Sequence, residues 1–324
     1  MGARENILLI RLKSVGDILF TLPAVRIVRE NFPQAKLHFL VSKEFAPLLR
    51  GFSDVDEIIP FDRAVFRSGN LLAACSGLFR MIQDLRRKNF SRVVDFQGYG
   101  ETAWLSWLSG APERWSSVYR PARAWACTRG EWRDNTIHPA EWNLALLQKC
   151  GLRVGEIHNE YVLPEDAIIE ARKLFAANHL DETKPTLFLQ PFTSSPHKNW
   201  PLENFLELAR HFQSCGDQII FGGGPSERAA LEPARAAGFV VSAGAPLLVT
   251  AGLMKLSSLA VGADTGLLHL AVAMGKRVVM LMPSAATTTR PFQHADWAIA
   301  PANGKKVSGI PVAEVIAACE RAIG

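Results

Sequence analysis

The sequence predicts an α/β protein made of two doubly wound domains. Three observations carry that expectation. Short continuous apolar runs recur along the chain, as strands buried on both faces of a parallel sheet require. Stretches with helical apolar spacing separate them. Several runs also end in glycine turns rich in polar groups, and ligands bind at such carboxyl edges in open α/β folds. At 324 residues the chain suits two domains of about 150 residues each.

In the first half, residues 7–10 read as a central strand and 18–31 as a helix (Leu19, Leu22, Val25, Val28) that stops before Pro33. A strand at 36–41, a helix at 45–50 and a strand at 57–60 follow. Residues 71–89 form a long amphipathic helix with Leu78, Met81, Ile82 and Leu85 on one face. The strand 91–95 runs into Phe96-Gln97-Gly98. Residues 112–143 break the pattern: Trp115, Trp125, Trp132 and Trp142 lie among Arg114, Arg120, Arg123, Arg129 and Arg133. This segment reads either as a binding loop or as a loop whose indoles cap the core.

Near 162–170 the pattern restarts, so the expected domains are 1–160 and 161–324. Helices are expected at 167–178, 202–214, 249–257, 267–274 and 312–322, with strands at 186–190, 218–221, 239–241, 258–262 and 278–282.

Composition narrows the function classes. With 48% hydrophobic and 21% charged residues, both halves can bury a core. A net charge of +5 favours anionic ligands or an anionic membrane surface. The basic residues are scattered and no recognition motif appears, which argues against nucleic acid as a partner. The five cysteines lack CxxC or metal-ligand spacing, so no metal site is expected and the thiols read as reduced. The first strand starts too early to leave room for a signal peptide, and no apolar run approaches the ~20 residues of a membrane span. The expected location is cytoplasmic, with a peripheral contact on the inner membrane left open.

Four strand ends carry the candidate chemistry. Asp17, behind Arg11 and Lys13 in a Gly16-Asp17 turn, reads as a general base toward a hydroxyl or as a helix cap. The loop Thr193-Ser194-Ser195-Pro196-His197-Lys198 offers hydroxyls and an ammonium for a diphosphate leaving group, or is a polar turn. Gly222-Gly223-Gly224-Pro225-Ser226-Glu227 matches neither GxGxxG nor a P-loop; Glu227 there is a ribose acceptor or a first-turn acid. Asp264-Thr265-Gly266, with His269 beyond, offers an anion cradle at a helix start.

These segments resemble glycosyltransferase family 9, the ADP-heptose:lipopolysaccharide heptosyltransferases. The resemblance runs in order through RLKSVGDILFTLPAVRIVRENFPQAKLHFLV, VVDFQG, His138-Pro-Ala-Glu141-Trp-Asn143, Lys198-Asn-Trp200-Pro201, GGGPSE and GADTGLLHLAVAMGKRVV. It implies a GT-B fold, two Rossmann-like domains facing across a cleft, with the terminal helix packing back on the first. It also implies inverting, metal-independent transfer from a nucleotide sugar, with no cofactor. Asp17 inherits the role of base. Lys198, Thr193 and Ser194 inherit donor phosphate contacts, as do Asp264, Thr265, Gly266 and His269, and Glu227 inherits the ribose. ADP-heptose is the implied donor and a lipid-linked saccharide the implied acceptor; Arg11, Lys13, Arg120 and Arg123 are placed against the acceptor by charge and position. The chain departs from the family at Pro283-Ser-Ala-Ala-Thr287-Thr-Thr289-Arg290, where a glycine-proline-threonine turn and an acid are usual, which leaves the donor sugar open. Two other readings stand beside this one: a GT-B enzyme, transferase or epimerase, using a UDP- or GDP-sugar, and a non-catalytic nucleotide-sugar binding protein.

Overall fold

Two sheets with the same strand order organise the chain. The structure, a computed structural model, describes residues 5–63, 71–302 and 306–324. It divides into two compact units, Met1–Asn159 and Glu160–Gly324.

The first unit holds β1 (Asn6–Ile10), β2 (Lys36–Ser42), β3 (Glu57–Phe61), β4 (Arg92–Asp95), β5 (Glu113–Val118) and β6 (Arg129–Trp132). They pair in the order β3-β2-β1-β4-β5-β6, all parallel. β1 lies at the centre, and Ile7 to Ile10 are fully buried, as the apolar run requires. The strand order reverses between β1 and β4, and the crevice above that switch point is where an open sheet accepts a ligand.

Two expectations for this unit are corrected. The helix expected at 18–31 is two helices, α1 (Val15–Leu19) and α2 (Leu22–Asn31). Pro23 cannot donate to a preceding turn, so it sits in the first turn of α2. The 45–50 helix is a 3₁₀ segment, Lys43–Gly51, with Pro47 inside it. The segment 112–143 is also more regular than its composition suggests. It contains β5, a 3₁₀ turn (Pro121–Ala126), β6 and the start of a helix, Pro139–Lys149. Trp115 and Trp142 are buried, while Trp125 and Trp132 are exposed.

The second unit holds β7 (Thr186–Gln190), β8 (Gln218–Gly223), β9 (Val240–Ala243), β10 (Leu259–Ala263), β11 (Val278–Leu281) and β12 (Ala298–Ile299). Their order is β12-β11-β10-β7-β8-β9, again parallel, with the switch between β7 and β10. Alternate residues feed two cores. Leu187, Leu189, Val261 and Leu281 face one, which includes Val315 and Cys319 of the terminal helix Val312–Ile323. Phe188, Ala260 and Met280 face the other. Among the described residues no helix is long and apolar enough to cross a membrane.

Candidate active site

In the second unit the loops after β11, β10, β7 and β8 leave adjacent strands. The strand order thus gathers the Lys198, Asp264 and Glu227 segments and the 283–290 loop along one sheet edge. Asp264, directly after β10, is the hub. Its Oδ2 accepts from Lys198 Nζ at 2.9 Å and from the Thr289 hydroxyl at 3.3 Å, and its Oδ1 lies 3.0 Å from His269 Nε2. Burial pushes the Asp264 carboxyl up, but the contacts from His269 and Lys198 outweigh it and hold it at about 2. An ammonium has three N–H donors and Asp264 takes one, so Lys198 keeps donors for an anion.

Thr265 caps the helix Gly266–Ala273, its hydroxyl oxygen accepting from Leu268 N–H at 3.4 Å. The first amides of any helix lack intrahelical acceptors, and the cap takes only the one at Leu268. That leaves the Gly266 end of the helix suited to an anion. Gly262 admits this geometry, since a Cβ there would come within 2.7 Å of the Gln190 carbonyl oxygen.

Thr193 works inside its own loop. Its hydroxyl donates to the Ser195 carbonyl at 2.8 Å and accepts from Ser195 N–H at 3.0 Å, while Asn199 Oδ1 takes the Thr193 N–H at 2.9 Å. Ser194 is exposed at the tip. Glu227 Oε2 accepts from Gly224 N–H at 2.7 Å, which closes the glycine turn and fixes the carboxylate at the end of β8.

In the first unit, Asp17 lies in the first turn of α1. Its Oδ2 accepts from Ser14 N–H at 3.1 Å and from the Ser14 hydroxyl at 3.0 Å, and its Oδ1 pairs with Arg11 Nη2 at 2.8 Å. Asp17 is thus not the cap of a helix beginning near Ile18: Ser14 is the N-cap of α1 and Asp17, its third residue, bonds back to it, while its side chain stays 38% exposed. Burial pushes its carboxyl up; Arg11 and Ser14 together bring it below the ordinary value of 3.8. It is ionised at neutral pH. Arg11 is itself buried and committed, donating to the Phe96 carbonyl and the Lys13 carbonyl, both at 3.0 Å. Its charge serves Asp17. Lys13 and Arg120 are exposed, and Arg123 donates to the Gly98 carbonyl at 3.2 Å.

The VVDFQG segment joins β4 to this turn. Gln97 Oε1 accepts from Leu12 N–H at 2.8 Å. Gly98 has φ +65°, and a Cβ there would fall 1.6 Å from the Ser117 carbonyl oxygen, so no side chain fits. Fully buried Asp95 accepts from Gln97 and Gly98 N–H at 2.9 and 3.0 Å. Burial raises its carboxyl from 3.8 to about 6, against those bonds. The folded state then binds the proton more tightly than the unfolded one. Stability is thus lost as pH rises from about 4 to about 6, by up to about 3 kcal/mol. Denaturant unfolding across that range should show a steeper loss for the wild type than for Asp95→Asn; equal slopes would refute it.

With both edges described, comparison with known proteins decides the family. The model of glycosyltransferase family 9 (heptosyltransferase) matches residues 78–308. The chain belongs to this family. The lipopolysaccharide core heptosyltransferase OpsX of Haemophilus influenzae is 22% identical over 231 residues, which span 70% of this chain and 62% of that protein. A glycosyltransferase of family 9 from Veillonella parvula superposes with a TM-score of 0.88 at 22% identity, covering 100% and 98% of the two chains. The Escherichia coli heptosyltransferase WaaC, solved with ADP, gives 0.80 at 21%, covering 98% and 99%. The fold is GT-B and the chain is a glycosyltransferase.

In this enzyme two site neighbours escaped the sequence. Thr289 reaches Asp264 only because β11 lies beside β10, so the divergent loop touches the hub. Arg133, just past β6, packs over Tyr119 and Trp142 at 5.9 and 5.6 Å. Burial lowers its pKa, and Arg11 and Asp17 are near enough to act on its charge. The HPAEWN segment has a structural part: Asn143 donates to the Phe20 carbonyl at 2.8 Å, tying its helix to the end of α1.

Proposed function

We propose that this enzyme transfers a heptose from ADP-heptose, with inversion, to the lipopolysaccharide core or a similar anionic glycan. The observation that carries the reading is the Lys198–Asp264 pair at the switch point of the second sheet, braced by His269 and Thr289. It gives a fixed cation beside a helix start, which suits a diphosphate. The heptosyltransferase family match, the OpsX relative and the ADP held by WaaC favour heptose, lipopolysaccharide core and adenine respectively.

In this reading the first unit takes the acceptor and the second takes the donor. The acceptor hydroxyl gives its proton to Asp17, and its oxygen attacks the anomeric carbon from the side opposite the diphosphate. The bond from that carbon to the phosphate oxygen breaks, and the nucleotide leaves with the electron pair. Lys198, the Thr265 and Gly266 amides and His269 meet the departing charge. Thr193 shapes the loop that carries Lys198, Ser194 reaches the phosphates from its tip, and Glu227 holds the ribose. Arg11 keeps Asp17 ionised, while Lys13, Arg120 and Arg123 face the anionic acceptor. No metal or cofactor enters the scheme.

Calorimetry with ADP, UDP and GDP tests the donor. ADP is expected to bind at least about ten-fold more tightly, since a site built for one base leaves polar groups unpaired with another. Tighter UDP or GDP binding would move the enzyme to another nucleotide sugar.

A further inference from the structure

The first unit carries an exposed cluster of indoles that the transfer chemistry does not use. Trp104 and Trp107 stand one turn apart on the helix Gly100–Leu108, and Trp125 comes to them from the 3₁₀ turn Pro121–Ala126. Their rings meet edge to face, with centroids 4.7 to 5.8 Å apart. Yet 53%, 45% and 47% of their respective surfaces stay open to solvent. Core indoles of the same unit behave otherwise, with Trp115 and Trp142 at 3% and 1%. Trp104 also edges an open cavity of about 800 Å³ lined by Phe61, Leu78, Ile82, Leu105 and Leu108. Phe79, next to Leu78 on the helix Leu71–Arg87, is 61% exposed.

Arginines lie around this face. Arg86 donates to the Leu108 carbonyl at 3.0 Å, beside Trp107. Exposed Arg120 begins the turn that carries Trp125, and Arg123 lies two residues before that indole. The carboxylate at the cavity, Glu101, is neutralised by Arg63 through bonds of 3.1 and 3.0 Å. Indoles with an apolar body and a polar N–H suit the headgroup level of a bilayer, and neighbouring arginines suit anionic lipid.

We propose that the Trp104–Trp107–Trp125 face docks this enzyme on an anionic phospholipid bilayer, the indoles entering the headgroup region and an acyl chain entering the adjoining cavity. The three indoles are not among the residues proposed for sugar transfer, so the inference goes beyond that chemistry, although Arg120 and Arg123, proposed above for the acceptor, border the same face.

Co-sedimentation of the full chain with vesicles tests it. Vesicles of phosphatidylglycerol and phosphatidylethanolamine should bind about ten-fold more protein than phosphatidylcholine vesicles. Trp104→Ser with Trp107→Ser should lower the bound fraction about ten-fold, with the thermal midpoint little changed. Lipids brominated in the acyl chain should quench the wild-type indole fluorescence. The proposal is overturned by a wild type left in the supernatant with anionic vesicles, or by a double variant that sediments equally well. A wild-type dimer that these substitutions split would also overturn it, assigning the face to a second copy. If the double variant fails to fold, quenching of the wild type decides alone, and its absence overturns the proposal. No readout uses a sugar nucleotide, so failure here leaves the proposed reaction untouched.

Discussion

Replacing Asp17 with alanine is expected to lower turnover by about 10²- to 10⁴-fold, the range for loss of a general base. Binding of ADP should change little, because the proposed donor contacts lie in the second unit. Alanine also removes the acceptor for Ser14 and the partner of buried Arg11, so lost activity alone is ambiguous. Asp17→Asn resolves this. The amide keeps an oxygen for Ser14 but cannot take a proton, and it should be as inactive as alanine. Asparagine turnover within about ten-fold of the wild type would remove Asp17 as the base.

The pH profile supplies an independent sign. Arg11 and Ser14 together hold the Asp17 carboxyl below its ordinary range despite burial. The acid limb of kcat/KM should therefore lie low, since activity is lost only when that carboxylate takes a proton. In Arg11→Met the main lowering influence is gone while burial remains, so the limb should move to higher pH. A limb that stays in place would mean that another group sets it.

Much of this arrangement was legible in the chain because parallel strands buried on both faces leave continuous apolar runs. β7 and the helix Leu202–Ser214 fall at the expected residues for that reason. β5 and β6 did not. ERWSSV buries Ser116 and Ser117 beside Trp115, and RGEW is a largely exposed edge strand formed by pairing with β5, so neither carries an apolar pattern. The family resemblance put Lys198 and Asp264 on one diphosphate, but their direct contact with each other and with Thr289 was not legible. Lys198 and Asp264 are 66 residues apart and Thr289 a further 25, joined only by the order β11-β10-β7. Local sequence does not encode strand order. Nor does it separate the two readings of Asp17, because a bond back to the N-cap and the proposed role of base use the same carboxylate at the same turn.

Replacing Lys198 with alanine is expected to cost about 10²- to 10³-fold in kcat/KM, as removal of one fixed donor to a developing anion does. Unlike the Asp17 variants, this one should also weaken ADP binding. The reason lies in the neighbours. Without the ammonium, Asp264 keeps His269 and Thr289 but loses its closest cation, so a carboxylate held at about 2 faces the incoming diphosphate. Repulsion then adds to the missing attraction. Lys198→Ala with Asp264→Asn should recover part of the lost affinity, because it removes the uncompensated charge and leaves the helix start intact. Coupling of this kind is measured by the double-mutant cycle. Strict additivity of the two losses, or a Lys198→Ala enzyme that binds ADP as the wild type does, would show that the pair braces the sheet edge and does not hold the leaving group.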